Sequence, residues 1–182
     1  MLGLKRNEVV LREHQVEWEE EAKNTADKLR AVLGNLVIDI QHIGSTAIGN
    51  IKAKPMLDIV LAIRSFGDLS DDVFLRLGDI GVYKSSTQPL FGIILCAIKA
   101  HRDSDIVLAN LHIVEIGSSE FNNHIAFRDY MNACPEKAKE YEKIKMELAS
   151  KFPNDREAYT IGKNSFIKAM LIEAKQFFAD DK

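Results

Sequence analysis

The sequence predicts an α/β (α+β) fold, built from a mixed β-sheet with flanking helices and a C-terminal helical part. Two observations lead to this prediction. Apolar, β-branched segments recur between residues 36 and 116, and after Gly117 the apolar residues adopt helical spacing. A chain of 182 residues can also bury one substantial core. We therefore expect a single domain over residues 1–182, with an N-terminal helix and mixed sheet in 1–117 and helices in 118–182.

The sheet-forming part begins with one helix. Val9–Leu11 is a short β-prone segment ahead of it. The helix is predicted over residues 16–33, and Gly34 ends it. Its apolar residues fall on one helical face and are Ala22, Ala26, Leu29 and Leu33. This face should pack on the sheet.

The strands follow as apolar, β-branched segments separated by turns. They are predicted at residues 36–43, 56–63, 82–86, 91–99 and 108–116, with a short helix at 71–77 that Gly78 stops. The second strand is apolar on both faces apart from Asp58, which favours a central place in the sheet. Pro89-Leu90 is predicted to form a turn between the third and fourth strands.

Three helices make up the predicted C-terminal part, at residues 120–133, 135–151 and 157–178. Pro135 stands where a first-turn proline belongs. The apolar stripe of the middle helix consists of Ala138, Tyr141, Ile144, Leu148 and Phe152. Its many charged residues, over 136–151, are interpreted as a solvated helix face with pairs such as Glu142-Lys145.

Composition argues against several classes of protein. Hydrophobic residues make up 46% of the chain and charged residues 28%, with a formal net charge of −3 and a pI of about 6.0, which is typical of a soluble globular domain. Nucleic-acid binding would favour a basic excess, and a membrane helix needs about 18–20 apolar residues in a row. Residues 1–8 lead into no signal-peptide apolar region. We expect a cytoplasmic protein without membrane or nucleic-acid partners, and the sequence leaves its oligomeric state open.

The most informative segment runs from His42 to Asp58. A strand that ends in Gly44-Ser45-Thr46 lets the backbone approach a ligand, and the turn offers N–H groups and hydroxyl donors to an anion. Asp58 could hold Mg²⁺ against the same phosphate, and Lys54 could offset the remaining negative charge. The alternative is a capped turn between two core strands. Asp58 then still needs hydrogen-bond partners, because an unpaired buried carboxylate is costly.

The segment from residue 42 to residue 63 resembles the signature of the GrpB (UPF0157) family, which is assigned to the nucleotidyltransferase superfamily. The similarity continues over residues 111–118 and 124–131, at Tyr159 and over 163–167. The resemblance implies a nucleotidyltransferase-like core, and transfer of a nucleoside monophosphate from an NTP to an acceptor. In that superfamily three acids hold two Mg²⁺ ions, and two of the acids form Asp-x-Asp or Asp-x-Glu on one strand.

One acid of that pattern is missing here. The residue two positions after Asp58, on the same face of the strand, is Val60. A third ligand must come from a neighbouring strand, where His112 and Glu115 are candidates on opposite faces. By match to the family we expect Asp58 and His112 to be catalytic, with a satisfied sheet histidine as the alternative for His112. Asp58 and Glu115 are the candidate metal ligands.

Two further cations are candidate phosphate contacts. Arg128 follows the His112 strand on a helix, where it could fork onto a phosphate or pair with a carboxylate. Lys163 matches the family's C-terminal lysine and could reach a triphosphate or remain a solvated helix lysine. The expected nucleotide-binding set is Gly44, Ser45, Thr46, Lys54, Arg128 and Lys163.

Two functions stay open at this point. One is a Mg²⁺-dependent nucleotidyltransferase that uses an NTP and an unknown small-molecule or macromolecular acceptor. The other is a non-catalytic nucleotide-binding or protein-interaction module that retains the fold, which Val60 favours. RNA modification ranks last, because the sequence lacks a basic surface signal.

Overall fold

The computed structural model describes residues 2–5, 7–86 and 92–179. Within these ranges the strands are β1 (Leu4–Lys5), β2 (Asp39–Ile43), β3 (Leu57–Ile63), β4 (Val82–Lys84), β5 (Ile94–Lys99) and β6 (Ile106–Glu115). The helices are α1 (Glu17–Leu33), α2 (Asp71–Asp79), α3 (Ser119–Ala133), α4 (Pro135–Lys151), α5 (Arg156–Gly162) and α6 (Asn164–Phe177). This succession of elements confirms the predicted α/β class.

The strands form one mixed sheet in the order β2-β3-β6-β5-β4, with β1 paired to the start of β6. β3 runs parallel to β6 and antiparallel to β2, so it lies inside the sheet, as its apolar sequence predicts. The register places Asp58 between Ile43 of β2 and Asn110 of β6. Because side chains alternate along a strand, these three residues share one face of the sheet.

The two faces of the sheet pack against different helices. The larger core lies on one face and combines α1 residues such as Trp18 and Leu29 with Ile59, Leu61 and Leu111 of the central strands. The smaller core lies on the opposite face and contains Ile43, Val60, Ala62 and Val114, covered by Phe121 and Ile125 of α3. Asp58 belongs to this second face, so its side chain points toward the C-terminal helices.

The C-terminal helices have a core of their own. It includes Phe127, Tyr130, Met131, Ala138, Tyr141, Met170 and Ala174, together with Ile48 and Ile51 from the loop between β2 and β3. That loop starts with a 3-10 turn at Ser45–Ala47. Its two isoleucines are at most 1% exposed, so the helices fix the segment that leads into β3.

Three elements in the first 80 residues differ from the prediction. Val9–Leu11 is not a strand; the neighbouring Arg12 forms an isolated bridge with Ala53 instead. β1 was not predicted, because two residues carry no periodic signal. Gly78 lies inside α2 rather than ending it.

The C-terminal prediction of one helix over residues 157–178 is also wrong. The chain breaks there into α5 and α6, and Lys163 lies at the junction after Gly162. Asp155 caps α5 by accepting a hydrogen bond from the N–H of Ala158 at 2.9 Å. The predicted turn at Pro89-Leu90 lies outside the described residues. Among the described helices none has the length and apolar character needed to cross a bilayer.

Candidate active site

The Gly-Ser turn packs directly on Asp58. β2 ends at Ile43, opposite Asp58, and Gly44 follows with φ of 72°. A Cβ at this glycine would lie 2.5 Å from Asp58 Oδ2. Only glycine combines that backbone conformation with so close an approach. The sequence predicts that Gly44 lets the backbone approach a ligand; in the structure the group that Gly44 approaches is the Asp58 carboxylate.

Asp58 has two partners on β6. Asn110 Nδ2 donates a hydrogen bond to Asp58 Oδ1 at 2.7 Å, and His112 Nε2 lies 3.6 Å from the same oxygen. The side chains of Asp58 and His112 are 29% and 18% exposed, so a ligand can reach both. Burial alone would raise the pKa of Asp58, but His112, Asn110 and the charge of Lys54 outweigh it and hold that pKa below its usual range. Asp58 is an ionised carboxylate at neutral pH.

The register decides between the two candidate ligands on β6. Val60 pairs with His112, so the imidazole lies beside the position where the second acid was expected. Glu115 pairs with Ile63 on the opposite face, and its Oε1 accepts a hydrogen bond from the N–H of Phe66 at 2.9 Å. The strand is regular between His112 and Glu115, so the structure does not bring Glu115 to Asp58. The expectation of a shared metal at this pair is corrected.

The hydroxyl groups of the turn face protein partners. Thr46 is 1% exposed, and its Oγ1 lies 2.8 Å from Nε2 of His42. Burial lowers the pKa of His42 to about 4, with a further contribution from Arg128. Ser45 Oγ lies 3.5 Å from the hydroxyl of Tyr141 on α4. Thr46 therefore holds the turn in shape, whereas Ser45 lies between the turn and the helices.

Arg128 also contacts the protein. Its Nη1 donates to the carbonyl of His42 at 2.9 Å and to Oε1 of Gln41 at 3.0 Å, and its Nε donates to Asp129 at 2.8 Å. Of the two roles expected for this arginine, the structure supports the structural one. It ties α3 to the edge strand β2.

Lys54 and Lys163 meet at one aromatic ring. Their ammonium nitrogens lie 5.0 and 4.7 Å from the centre of the Tyr159 ring, within the range of a cation–π contact. Burial, together with the positive charges of Arg156 and Lys163, lowers the pKa of Lys54 to about 7. A lysine whose pKa is lowered in this way, close to an ionised acid, is typical of a functional site.

Lys145 and Arg156 complete this group of cations, and sequence reasoning missed both. Lys145 is 1% exposed, and its Nζ donates to the carbonyl of Lys52 and lies 4.7 Å from the centre of the Tyr141 ring. Burial and neighbouring lysines lower its pKa to about 7. Arg156 Nη2 lies 3.4 Å from Oδ1 of Asn110, the residue that holds Asp58. The interpretation of residues 136–151 as a solvated face is therefore wrong for Lys145.

His124 stands beside the catalytic candidate His112. The two rings are 5.0 Å apart between centroids in an edge-to-face arrangement. Burial, reinforced by the nearby His112, lowers the pKa of His124 to about 4. His124 is thus a neutral imidazole at physiological pH, packed against the ring of His112.

Comparison with known proteins establishes the family. The sequence model described as GrpB protein matches residues 8–173. The chain belongs to the GrpB family. It is 38% identical over 173 residues to the glutamate-rich protein GrpB of Alkalihalophilus pseudofirmus, a match that spans 95% of this chain and 99% of that protein. The UPF0157 protein YqkA of Bacillus subtilis is 29% identical; there the match spans 93% of this chain and 48% of the relative.

A solved GrpB-family structure has the same fold. The crystal structure of the conserved protein GrpB from Enterococcus faecalis superposes with a TM-score of 0.82 at 26% identity, over 93% of this chain and 99% of that one. The mixed sheet and its flanking helices are thus a property of the family. The poly(U) polymerase Cid1 in its MgGTP-bound form aligns with a TM-score of 0.46 at 14% identity, over 82% of this chain and 50% of that chain.

The side chains of this GrpB chain do not fit the two-Mg²⁺ arrangement that the resemblance implies. Among the described residues there is no group of three or more His, Cys, Asp and Glu arranged to hold a metal ion. Asp58 is ionised and partly exposed, and Mg²⁺ is often held by one carboxylate plus the oxygens of a bound phosphate. Asp58 therefore fits one ion that arrives with a nucleotide.

Proposed function

We propose that this GrpB-family chain binds an NTP at the Asp58 face and transfers its nucleoside monophosphate to an acceptor that is still unknown. The observation that supports this most strongly is the convergence of the Gly44-Ser45 turn and an ionised Asp58 with the cations at Tyr159. A turn, an acid and lysines meeting at one face are the parts that phosphoryl-type transfer requires. In this proposal the partners are a nucleotide and a small-molecule or macromolecular acceptor in the cytoplasm.

The side chains take distinct roles in the proposed reaction. Lys54 and Lys163 bind the phosphates, and Asn110 orients the Asp58 carboxylate. One Mg²⁺ held by Asp58 with the phosphates would offset the charge of the departing pyrophosphate. His112, partly exposed beside Asp58, accepts the proton of the acceptor hydroxyl as the hydroxyl oxygen bonds to the α-phosphorus. The bond from that phosphorus to the oxygen bridging to the β-phosphate breaks, and pyrophosphate leaves.

A transfer assay tests the enzyme directly. Purified protein, Mg²⁺ and each of the four α-labelled NTPs are incubated with a metabolite pool and with an RNA pool. We expect label to move to a new product with release of pyrophosphate, and Asp58→Asn to abolish it. Asp103→Asn, a change at an exposed surface acid, should leave transfer unchanged. Wild-type protein that is as inert as Asp58→Asn across both pools would contradict the transferase.

The second candidate is a nucleotide-binding module without turnover. Val60 favours it, because this 0% exposed apolar residue occupies the place of the second acid beside His112. The module predicts that NTP binds with the same affinity with and without Mg²⁺. Calorimetric titration with ATP, in Mg²⁺ and in EDTA, separates the two candidates: Mg²⁺-dependent affinity favours the enzyme, and Mg²⁺-independent binding without transfer favours the module.

A further inference from the structure

A cavity of about 390 Å³ lies at the outer edge of β2, the strand at one end of the sheet. Its apolar wall comes from α1, from β2 and from the turn after β2, and consists of Ala22, Ala26, Ile40 and Ala47. Ile40 pairs with Leu61, so it lies on the face of the sheet opposite Asp58. We call this space the edge cavity.

One hydrogen-bond donor of the edge cavity belongs to Arg128, which reaches it from α3. A guanidinium group has five N–H donors. Nε donates to Asp129, and Nη1 donates to Gln41 Oε1 and to the carbonyl of His42. Within the described part of the chain, Nη2 has no hydrogen-bond partner. Because three hydrogen bonds fix the plane of the group, Nη2 is a pre-oriented donor for a carboxylate.

One hydrogen-bond acceptor of the edge cavity is the Glu19 carboxylate on α1. Glu19 is exposed, and its side chain has neither an ion pair nor a hydrogen bond with any residue that the structure describes. Lys23 follows it by one helical turn, but Lys23 Nζ pairs with Asp27 at 2.8 Å. Arg30 also lines the cavity and pairs with Asp27 at 3.3 Å. The Glu19 carboxylate can therefore accept from a cationic group of a ligand.

The charges at the edge cavity balance. The cations that line it are Lys23, Arg30 and Arg128, and the acids that line it or pair with these cations are Glu19, Asp27 and Asp129. His42 lines the cavity too and is neutral at pH 7, because burial lowers its pKa to about 4. An anion would therefore meet Glu19, and a cation would meet Arg128. A molecule with one carboxylate and one ammonium group is complementary to both.

The wall and the volume of the edge cavity indicate the rest of the ligand. Ala22, Ala26 and Ile40 are 4%, 9% and 6% exposed, so the wall is apolar and closely packed behind the cavity. A water occupies about 30 Å³ in the liquid, so the cavity corresponds to roughly thirteen waters. Such a space suits a ligand with about ten non-hydrogen atoms, part of which is apolar.

We propose that the edge cavity is a binding site for a small amino acid with an apolar portion, whose carboxylate lies at Arg128 and whose ammonium group lies at Glu19. The inference goes beyond the proposed function and does not rest on it, because the edge cavity and Asp58 belong to opposite faces of the sheet.

Titration of the ¹⁵N-labelled full chain without nucleotide, followed by its amide chemical shifts, tests the inference. The ligands are 6-aminohexanoate, with charges at its two ends, leucine, with both charges on one carbon, and the single-charge compounds hexanoate and hexylammonium. We expect at least one of the two amino acids to give saturable shifts in residues 19–30 and 40–47. That amino acid should bind about tenfold or more tightly than hexanoate and hexylammonium.

The comparison between the two amino acids shows how far apart the bound charges lie. Tighter binding of 6-aminohexanoate indicates separated charges, and tighter binding of leucine indicates adjacent ones; both results support the inference. No saturation by either amino acid up to about 10 mM, or hexanoate or hexylammonium binding as tightly as both of them, would overturn it.

Two variants of α1 assign the ammonium contact. Glu19→Gln should weaken binding of the preferred amino acid about tenfold, because it replaces a charged acceptor by a neutral one. Glu20→Gln changes the next acid of the helix, which is exposed and lies outside the edge cavity, and should bind as wild type does. Equal affinity of Glu19→Gln and wild type would contradict the proposed site.

Arg128→Lys tests the carboxylate contact. This variant keeps the positive charge but loses the planar fork of donors, so it should also weaken binding of the preferred amino acid. Because Arg128 ties α3 to β2, circular dichroism and thermal unfolding must show that the variant is folded. Should it unfold, Glu19→Gln alone decides.

Discussion

A side chain at Gly44 would fill the space that the Asp58 carboxylate occupies. The glycine has φ of 72°, and a Cβ added to it would lie 2.9 Å from Asp58 Cβ as well as 2.5 Å from Oδ2. Gly117 has a similar φ of 76°, but a Cβ added there would meet nothing within 4 Å. Comparing substitutions at the two glycines therefore separates the free-energy cost of the positive φ from the cost of the clash with Asp58.

We predict that Gly44→Ala destabilises the protein by about 2 kcal/mol or more, and Gly117→Ala by about 1 kcal/mol. Both substitutions strain a positive φ, but only the first also displaces Asp58. Urea unfolding measures the two free energies, and ATP titration should show weakened binding for Gly44→Ala alone. Equal destabilisation by the two substitutions would contradict a contact between this turn and Asp58.

Lys54 gives a second prediction at the residue scale. Burial lowers its pKa in the folded protein to about 7, from 10.5 in the unfolded chain. Between these values the unfolded chain binds more protons, so the free energy of unfolding rises with pH above 7. The rise is at most about 1.4 kcal/mol per pH unit for each such lysine, and Lys145 contributes in the same window and direction.

The measurement is urea unfolding of wild type, Lys54→Met and Lys143→Met at pH 7, 8 and 9. Lys54→Met should have a smaller slope against pH, and Lys143→Met the slope of wild type. The window ends near pH 9, because above it the buried Cys96 thiol, whose pKa is raised to about 11, contributes with the opposite sign. An identical slope in all three proteins would show that the pKa of Lys54 is not lowered in the folded protein.

At the scale of elements, α4 anchors the loop that carries Lys54. Glu142 on this helix accepts from the N–H of Lys52, and Lys145 donates to the carbonyl of the same residue. The Glu142 side chain is 13% exposed, and its negative charge faces Lys145. Lys139 on the same helix also donates to the carbonyl of Asn50 at 2.6 Å, so helix and loop are joined through the backbone of two loop residues and through the charge of Glu142.

We predict that Glu142→Gln lowers the free energy of unfolding at pH 6 by about 1–3 kcal/mol. The amide oxygen can still accept from Lys52, so the loss reports the charge that compensates the buried Lys145, plus a smaller part from the exposed Lys139, whose ion pair with Glu142 is solvent-screened. Glu147→Gln, at an exposed position of the same helix, serves as the control and should change stability little. Were Glu142→Gln as stable as Glu147→Gln in thermal and urea unfolding, Lys145 would not depend on that charge.

Sequence patterns predicted those elements whose apolar residues show a clear period. The central strand β3 is apolar on both faces and was placed correctly inside the sheet; α4 was bounded correctly at 135–151. Two features were not predicted. β1 is too short to show a period, and the helix break at Lys163 leaves the apolar spacing intact. Tertiary contacts decide both.

The site was predictable in part for the same reason. Gly44 and Asp58 lie on the strands that the pattern identified, and the period of two placed Val60 and His112 on the Asp58 face once the register was known. Lys145 was assigned to solvent by its charge, although its spacing of four from Tyr141 and three from Leu148 places it on the buried stripe. A residue's type does not reveal its burial, so spacing is the better signal there.

At the scale of the whole molecule, the candidate site lies where the sheet meets the C-terminal helices. The sheet contributes Asp58, Asn110 and His112 from adjacent strands, and the helices contribute Lys145, Arg156 and Lys163. Neither part contains both the ionised acid and the full set of cations. A nucleotide bound at this place would therefore contact both parts at once.

Hydrogen–deuterium exchange of the full chain, with and without ATP and Mg²⁺, tests this central claim most directly. We predict that saturating ATP slows exchange in peptides that cover residues 43–58 and, in the same titration, in peptides that cover residues 142–163. Peptides that cover α2 and β4, residues 71–84, should be unchanged. Unaltered exchange in either of the first two regions at saturation would contradict a nucleotide site between sheet and helices.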